Sequence, residues 1–130
     1  MKKIIADNSA YSISISIPKN RAYLKLVGFW RSPEVVPEYL SDWKKAVTQL
    51  DKGFSLLTDA TDMKTHPQQV KKLHEEAQIL VLSAGLAKVA EVVNNDITEY
   101  QLDSLAEATA FPKRTFRTVS EAENWLDGNL

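Results

Sequence analysis

Residues 11–17 read Tyr-Ser-Ile-Ser-Ile-Ser-Ile. This strict alternation puts Tyr11, Ile13, Ile15 and Ile17 on one face and three serines on the other, the pattern of a half-buried strand. Pro18-Lys19-Asn20 follows as a turn. Residues 22–30 then alternate again, with Tyr23, Lys25, Val27 and Phe29 opposite Leu24, Leu26 and Gly28. A connection this short makes the two strands an antiparallel hairpin. The apolar face of such a hairpin must be covered by something further along the chain.

Cover is available at helical spacing. Ser32-Pro33 opens a helical segment, with Pro37 as an alternative restart one turn later, and Val36, Leu40, Trp43, Val47 and Leu50 recur along one stripe up to Gly53. Residues 54–60 (Phe-Ser-Leu-Leu-Thr-Asp-Ala) are short and nearly all apolar, which suits a strand buried on both faces. A polar loop over residues 61–66 follows, and Thr65-His66-Pro67-Gln68 has the form of a capping box. The next helix carries Val70, Leu73, Ala77, Leu80 and Ala84 on one face and stops at Gly85. Residues 86–93 predict another strand, residues 97–110 a helix, and residues 113–119 a charged edge strand. Ser120-Glu121-Ala122-Glu123 predicts a capping box for a last helix with Trp125 and Leu126. The expected order is β-β-α-β-α-β-α-β-α. This is an α/β domain spanning residues 1–130, with a mixed sheet of about five strands and about four helices.

Charge and composition narrow the function classes. The net charge is −1, with acidic residues between the lysine pairs, so no nucleic-acid footprint is expected. No cysteine is present, which excludes disulfides, thiolate metal sites and cysteine nucleophiles. Only Ile4, Ile5 and Ala6 separate Lys2-Lys3 from Asp7, so no secretory signal is expected and a cytoplasmic location is. No apolar run approaches the ~20 residues of a membrane span. There is no P-loop, no G-x-G-x-x-G and no G-x-S-x-G.

The element order, together with residues 54–63 (Phe-Ser-Leu-Leu-Thr-Asp-Ala-Thr-Asp-Met), 85–93 (Gly-Leu-Ala-Lys-Val-Ala-Glu-Val-Val) and 116–126 (Phe-Arg-Thr-Val-Ser-Glu-Ala-Glu-Asn-Trp-Leu), resembles the STAS domain, and within it the SpoIIAA-like, STAS/SEC14 branch. The resemblance covers essentially the whole chain. It implies a non-enzymatic binding or interaction domain, such as a bacterial regulatory module. Anti-sigma-factor antagonists of this family carry a phosphorylatable serine in a D-S-S-G motif at the start of the helix after the third strand. Here that region reads Asp62-Met63-Lys64-Thr65-His66-Pro67, so the phosphoserine switch is not carried over.

The segment from Asp59 to His66 is the leading site candidate. Ligands of open α/β sheets gather beyond the carboxyl ends of the strands, and helix N-termini attract anions. Asp59, Asp62, Lys64, Thr65 and His66 form a candidate ligand loop, or else the aspartates bond loop amides while Thr65 caps the helix. His74 is expected at the margin of its helix's apolar stripe. Phe29 and Trp30 face opposite ways as neighbours in a strand, so one of them is a candidate for an interface or the mouth of an apolar pocket. Expected partners are another protein or a second copy of the chain, with a small apolar or anionic ligand as a further option. No metal or cofactor is expected. Two alternatives stay open: a SEC14-like carrier of apolar molecules, and an enzyme using Asp59, Asp62 and His66.

Overall fold

The computed structural model describes residues 2–128. The chain forms an α/β domain on one six-stranded mixed sheet. Its elements are β1 (Lys3–Asp7), β2 (Tyr11–Ser16), β3 (Arg21–Gly28), a 3-10 turn (Pro33–Val35), α1 (Tyr39–Val47), β4 (Ser55–Met63), α2 (Gln68–Ser83), β5 (Lys88–Val92), α3 (Asp96–Thr109), β6 (Lys113–Phe116) and α4 (Val119–Leu126). The strands lie side by side in chain order. β1, β2 and β3 pair antiparallel, and β3 to β6 pair parallel.

The expected strand count needs correction. The sheet has six strands, not five, because Lys3–Asp7 pairs with β2. Asn8 makes that possible: its Oδ1 accepts from the backbone N–H of Ala10 and of Tyr11, closing a tight turn. The first helix follows the later of the two expected starts. Pro33 opens only a 3-10 turn, and α1 begins at Tyr39, after Pro37.

The sequential order decides where the cover lies. Parallel crossovers are right-handed as a rule. Three of them step in the same direction across the sheet, so α1, α2 and α3 all pack on one face. The main core lies there, with Ile13, Ile15, Leu24, Trp43, Leu56, Val70, Val81 and Leu105 among its buried residues. On the other face α4 lays Ala122 and Leu126 against Leu57, Ala90 and Val92, with Trp125 partly buried beside them. β4 and β5 are therefore buried on both sides.

An ion network fastens α4 to the hairpin. Arg21, almost fully buried, donates to Glu123, to Asp127 at 2.9 Å and to Ser55 Oγ at 2.8 Å. Tyr23 donates its hydroxyl to Glu123 at 2.8 Å, and Lys19 reaches both carboxylates. The cap of α4 is Thr118 rather than the expected Ser120; its Oγ1 accepts from Glu121 N–H at 3.1 Å.

The turn after α2 shows how one residue can be irreplaceable. Leu86 N–H bonds to Val81 C=O and Gly85 N–H to Leu82 C=O, the paired closure of a Schellman motif. Gly85 has φ +105°, and a Cβ there would lie 2.9 Å from Lys52 Cα. Gly85→Ala is expected to cost about 2–4 kcal/mol from backbone strain plus overpacking. Thermal melting should then fall by on the order of 10 °C. An unchanged melting temperature would show that the turn has room to relax.

Candidate functional site

The chain leaves β3 at Gly28 (φ +75°). The next two side chains diverge: Phe29 is 59% exposed and Trp30 1%. Trp30 Nε1–H is shared between the carbonyls of Val27 and Ala10 at 3.2 and 3.3 Å, so the indole is fixed in the core as well as covered.

Two histidines lie against that indole. His66 and His74 are both 5% exposed, their ring centroids 4.9 and 5.0 Å from that of Trp30 and their planes within 26° of it. The imidazoles are nearly parallel to each other and joined by a 2.9 Å contact between His66 Nδ1 and His74 Nε2. His66 Nε2 stands 3.1 Å from Gly28 C=O. A carbonyl can only accept, so His66 carries its proton on Nε2. In the neutral ring Nδ1 then accepts, and His74 must donate from Nε2. Burial pushes both histidines below their ordinary range, His74 to about 3 with the neighbouring His66 adding to the effect. Tyr39 meets Trp30 and His74 edge-on, and Tyr11 beyond it donates to Asp42 at 2.5 Å.

The β4–α2 connection is held from α3 as well. Gln101 donates to His66 C=O at 2.8 Å and accepts from His66 N–H at 3.2 Å.

The loop candidates do not converge. β4 runs three residues further than expected, to Met63, and shifts register by one residue between Asp59 and Asp62. This bulge keeps Ala60 and Met63 both buried in the main core. Asp59 Oδ1 accepts from Thr61 N–H and Oγ1, and Asp59 lines a cleft with Tyr23, Leu57 and Val119 on the α4 side. Asp62 is exposed and pairs with Lys25 at 3.4 Å. Lys64 and Thr65 are exposed. Thr65 does not cap α2: the N-cap residue is Pro67, with no side-chain bond, because the helix starts only at Gln68. Thr65, Pro67, Lys71 and Tyr100 border a surface cleft of about 400 Å³, and Phe29 and Val35 border another of about 360 Å³. His66 lines the first and its stacking partner Trp30 the second. Among the described residues no group of three or more His, Asp or Glu could hold a metal ion. No helix among them is long and apolar enough to cross a membrane.

A second polar centre went unread in the sequence. Glu91, next to last in β5, is 2% exposed and lines an interior cavity of about 30 Å³ together with His74, Thr58 and Gln78. Burial pushes its carboxyl up to about 7, against the pull of Lys113. Burial also works against the charge of Lys113, but Glu91 and Asp103 outweigh it and hold the ammonium above its ordinary range. A glutamate inside the apolar run Val89-Ala90-Glu91-Val92 was the available signal, since a charge in a strand buried on both faces needs a reason.

Comparison with family models, curated proteins and solved structures finds no match for this chain.

Proposed function

We propose that this chain is a non-enzymatic interaction domain of STAS-like kind, with its contact surface at the carboxyl end of the parallel strands. One observation carries the proposal. Phe29 and Tyr100, exposed by 59% and 77%, stand on either side of the β4–α2 connection, with Val35 and Ile97 exposed near them. Large aromatic side chains left in water at one end of a domain are what protein interfaces bury. The connection between them is tied down through His66 to Trp30 on the Phe29 side and to Gln101 on the Tyr100 side. A rigid segment flanked by aromatic anchors loses little freedom on docking.

The resemblance supports the same place. The connection into α2 corresponds to the segment that carries the regulatory serine in anti-sigma-factor antagonists. In this chain the segment offers Lys64 and Thr65 to a partner, while the His66 ring is engaged on both nitrogens. The interior cavity, at about 30 Å³, is far below the roughly 300–1,000 Å³ of drug-sized ligand pockets, which favours surface contact over carriage of large apolar molecules.

A photo-crosslinking phenylalanine derivative at position 100 or 29, in the cells that express the chain, tests this. The expected result is a discrete adduct, absent when the derivative replaces the exposed Glu76 on α2. An adduct of twice the 14.6 kDa chain mass identifies a second copy as partner; another fixed mass identifies a different protein. Labelling no stronger than at position 76 overturns the proposal.

A further inference from the structure

The sheet face that carries α4 is only half covered. α4 packs on β4, β5 and β6, and among the described residues no helix crosses β1, β2 or β3 on that side. Strand register sets two rows of side chains there. Ile4 on β1, Ser14 on β2 and Tyr23 on β3 form one row, and Asp7, Ser12 and Lys25 form the next. Residues three apart in a regular strand face opposite ways. The register shift between Ile4 and Ala6 brings Asp7 onto the same face as Ile4, opposite the serines of β2. Ile4 is 68% exposed, and Asp7 and Lys25 are exposed too. Asp7 enters none of the ion pairs among the described residues. Lys25 pairs with Asp62 at 3.4 Å in the open, and an ammonium has three donors, so it can take a second carboxylate.

These rows are self-complementary. A half-turn about an axis along β2 lays β1 of one copy over β3 of the other and keeps each row at its own level. Ile4 then lies over Tyr23 and Asp7 over Lys25, twice in each pair of copies. The serines fall on the axis, where small side chains let two sheets pack face to face. Beside Tyr23 a cleft of about 210 Å³ reaches Val119, 45% exposed at the start of α4, and gives the incoming Ile4 an apolar wall. Lys2 Nζ now lies 3.8 Å over the Tyr23 ring, a weak contact that an exposed lysine gives up readily.

We propose that two copies of this chain associate through the open β1–β3 face, with Asp7 of each copy paired to Lys25 of the other and Ile4 packed on Tyr23. Neither Phe29 nor Tyr100 takes part, so this contact is independent of the surface at the strand ends. Three short strands make a small interface, and weak association is expected.

Sedimentation equilibrium of the full chain, at concentrations up to about 1 mM, tests this. The wild type is expected to move from 14.6 kDa toward twice that mass. Asp7→Lys alone and Lys25→Asp alone each set like charges face to face, and each should weaken the dimer by on the order of 10-fold or more. An equimolar mixture of the two variants should restore it, because each charge then meets its opposite. The chain has no cysteine, so Ser14→Cys gives a second readout. A short thiol-to-thiol linker should join two copies there, and not at Ile79→Cys, which is exposed on α2. A wild type that stays monomeric throughout overturns the proposal. So does a dimer that the single charge changes leave intact or the mixture fails to restore, and so does equal linking at positions 14 and 79.

Discussion

Alanine in place of Trp30 is expected to lower the unfolding free energy by about 3–5 kcal/mol, the range for truncating a buried aromatic. The indole is 1% exposed, and Tyr11, Tyr39, His66 and His74 all lie against it. Its removal leaves a void that packing cannot close, and it strips cover from both imidazoles. Two readouts should therefore move together. The midpoint of urea unfolding falls, and the His66 and His74 titrations rise toward the ordinary 6.5 as water reaches them. A loss below about 1 kcal/mol would mean that neighbouring side chains refill the site. A large loss with unmoved titrations would mean that the burial of the histidines does not depend on the indole.

A distinctive dependence of stability on pH is also expected, because two buried groups work in opposite directions. His74 has its folded value lowered to about 3 from 6.5. The unfolded chain therefore binds more protons below 6.5, and stability is lost as pH falls from there toward 3, by up to about 1.4 kcal/mol per pH unit for one such group. His66 acts in the same sense. Glu91 has its folded value raised from 4.5 to about 7. Its contribution is full below 4.5 and is lost as pH rises through 7. Between about 4.5 and 6.5 Glu91 offsets His74 and leaves the loss from His66, and below that window the histidines act without opposition. Glu123 and Asp127, held low by their partners in the α4 network, add to the loss at the acid end. The groups facing Glu91 here are Lys113 and, through it, Asp103. Urea midpoints measured from pH 4 to 8 should fall only gently toward acid for the wild type between 4.5 and 6.5, because Glu91 offsets one of the two histidines. Glu91→Gln should tilt that stretch toward lower stability in acid, and His74→Phe should tilt it the other way. Superimposable curves for the three proteins would remove the buried titrations from the account.

The strands and helices were legible where a single face repeats. The isoleucine–serine alternation gave β2, the apolar block gave β4, and Gly85 marked the end of α2. β1 was not legible, because its pairing depends on a turn built by one asparagine side chain and its own residues are only partly buried. The placement of the candidate side chains was hidden for a different reason. His66 and Trp30 are far apart in the chain, and nothing near either one signals that they stack. The bulge in β4 turns Met63 inward and leaves Asp62 exposed, so an aspartate that looked poised for chemistry meets Lys25 instead. Local pattern carries secondary structure; the meeting of distant side chains depends on register and crossover geometry, which no window of sequence contains.

The fastening of α4 also has a consequence in time. Arg21 and Glu123 are separated by 102 positions, yet the guanidinium is almost fully buried only because α4 is in place. On a ribosome adding roughly 5–20 residues per second, the hairpin waits about 5–20 seconds for its counter-ions. Through that interval Arg21 and the face of β4 and β5 that α4 covers lack that cover. The helix that buries Arg21 and the second face of β4 and β5 is thus the part of the domain made after all of them.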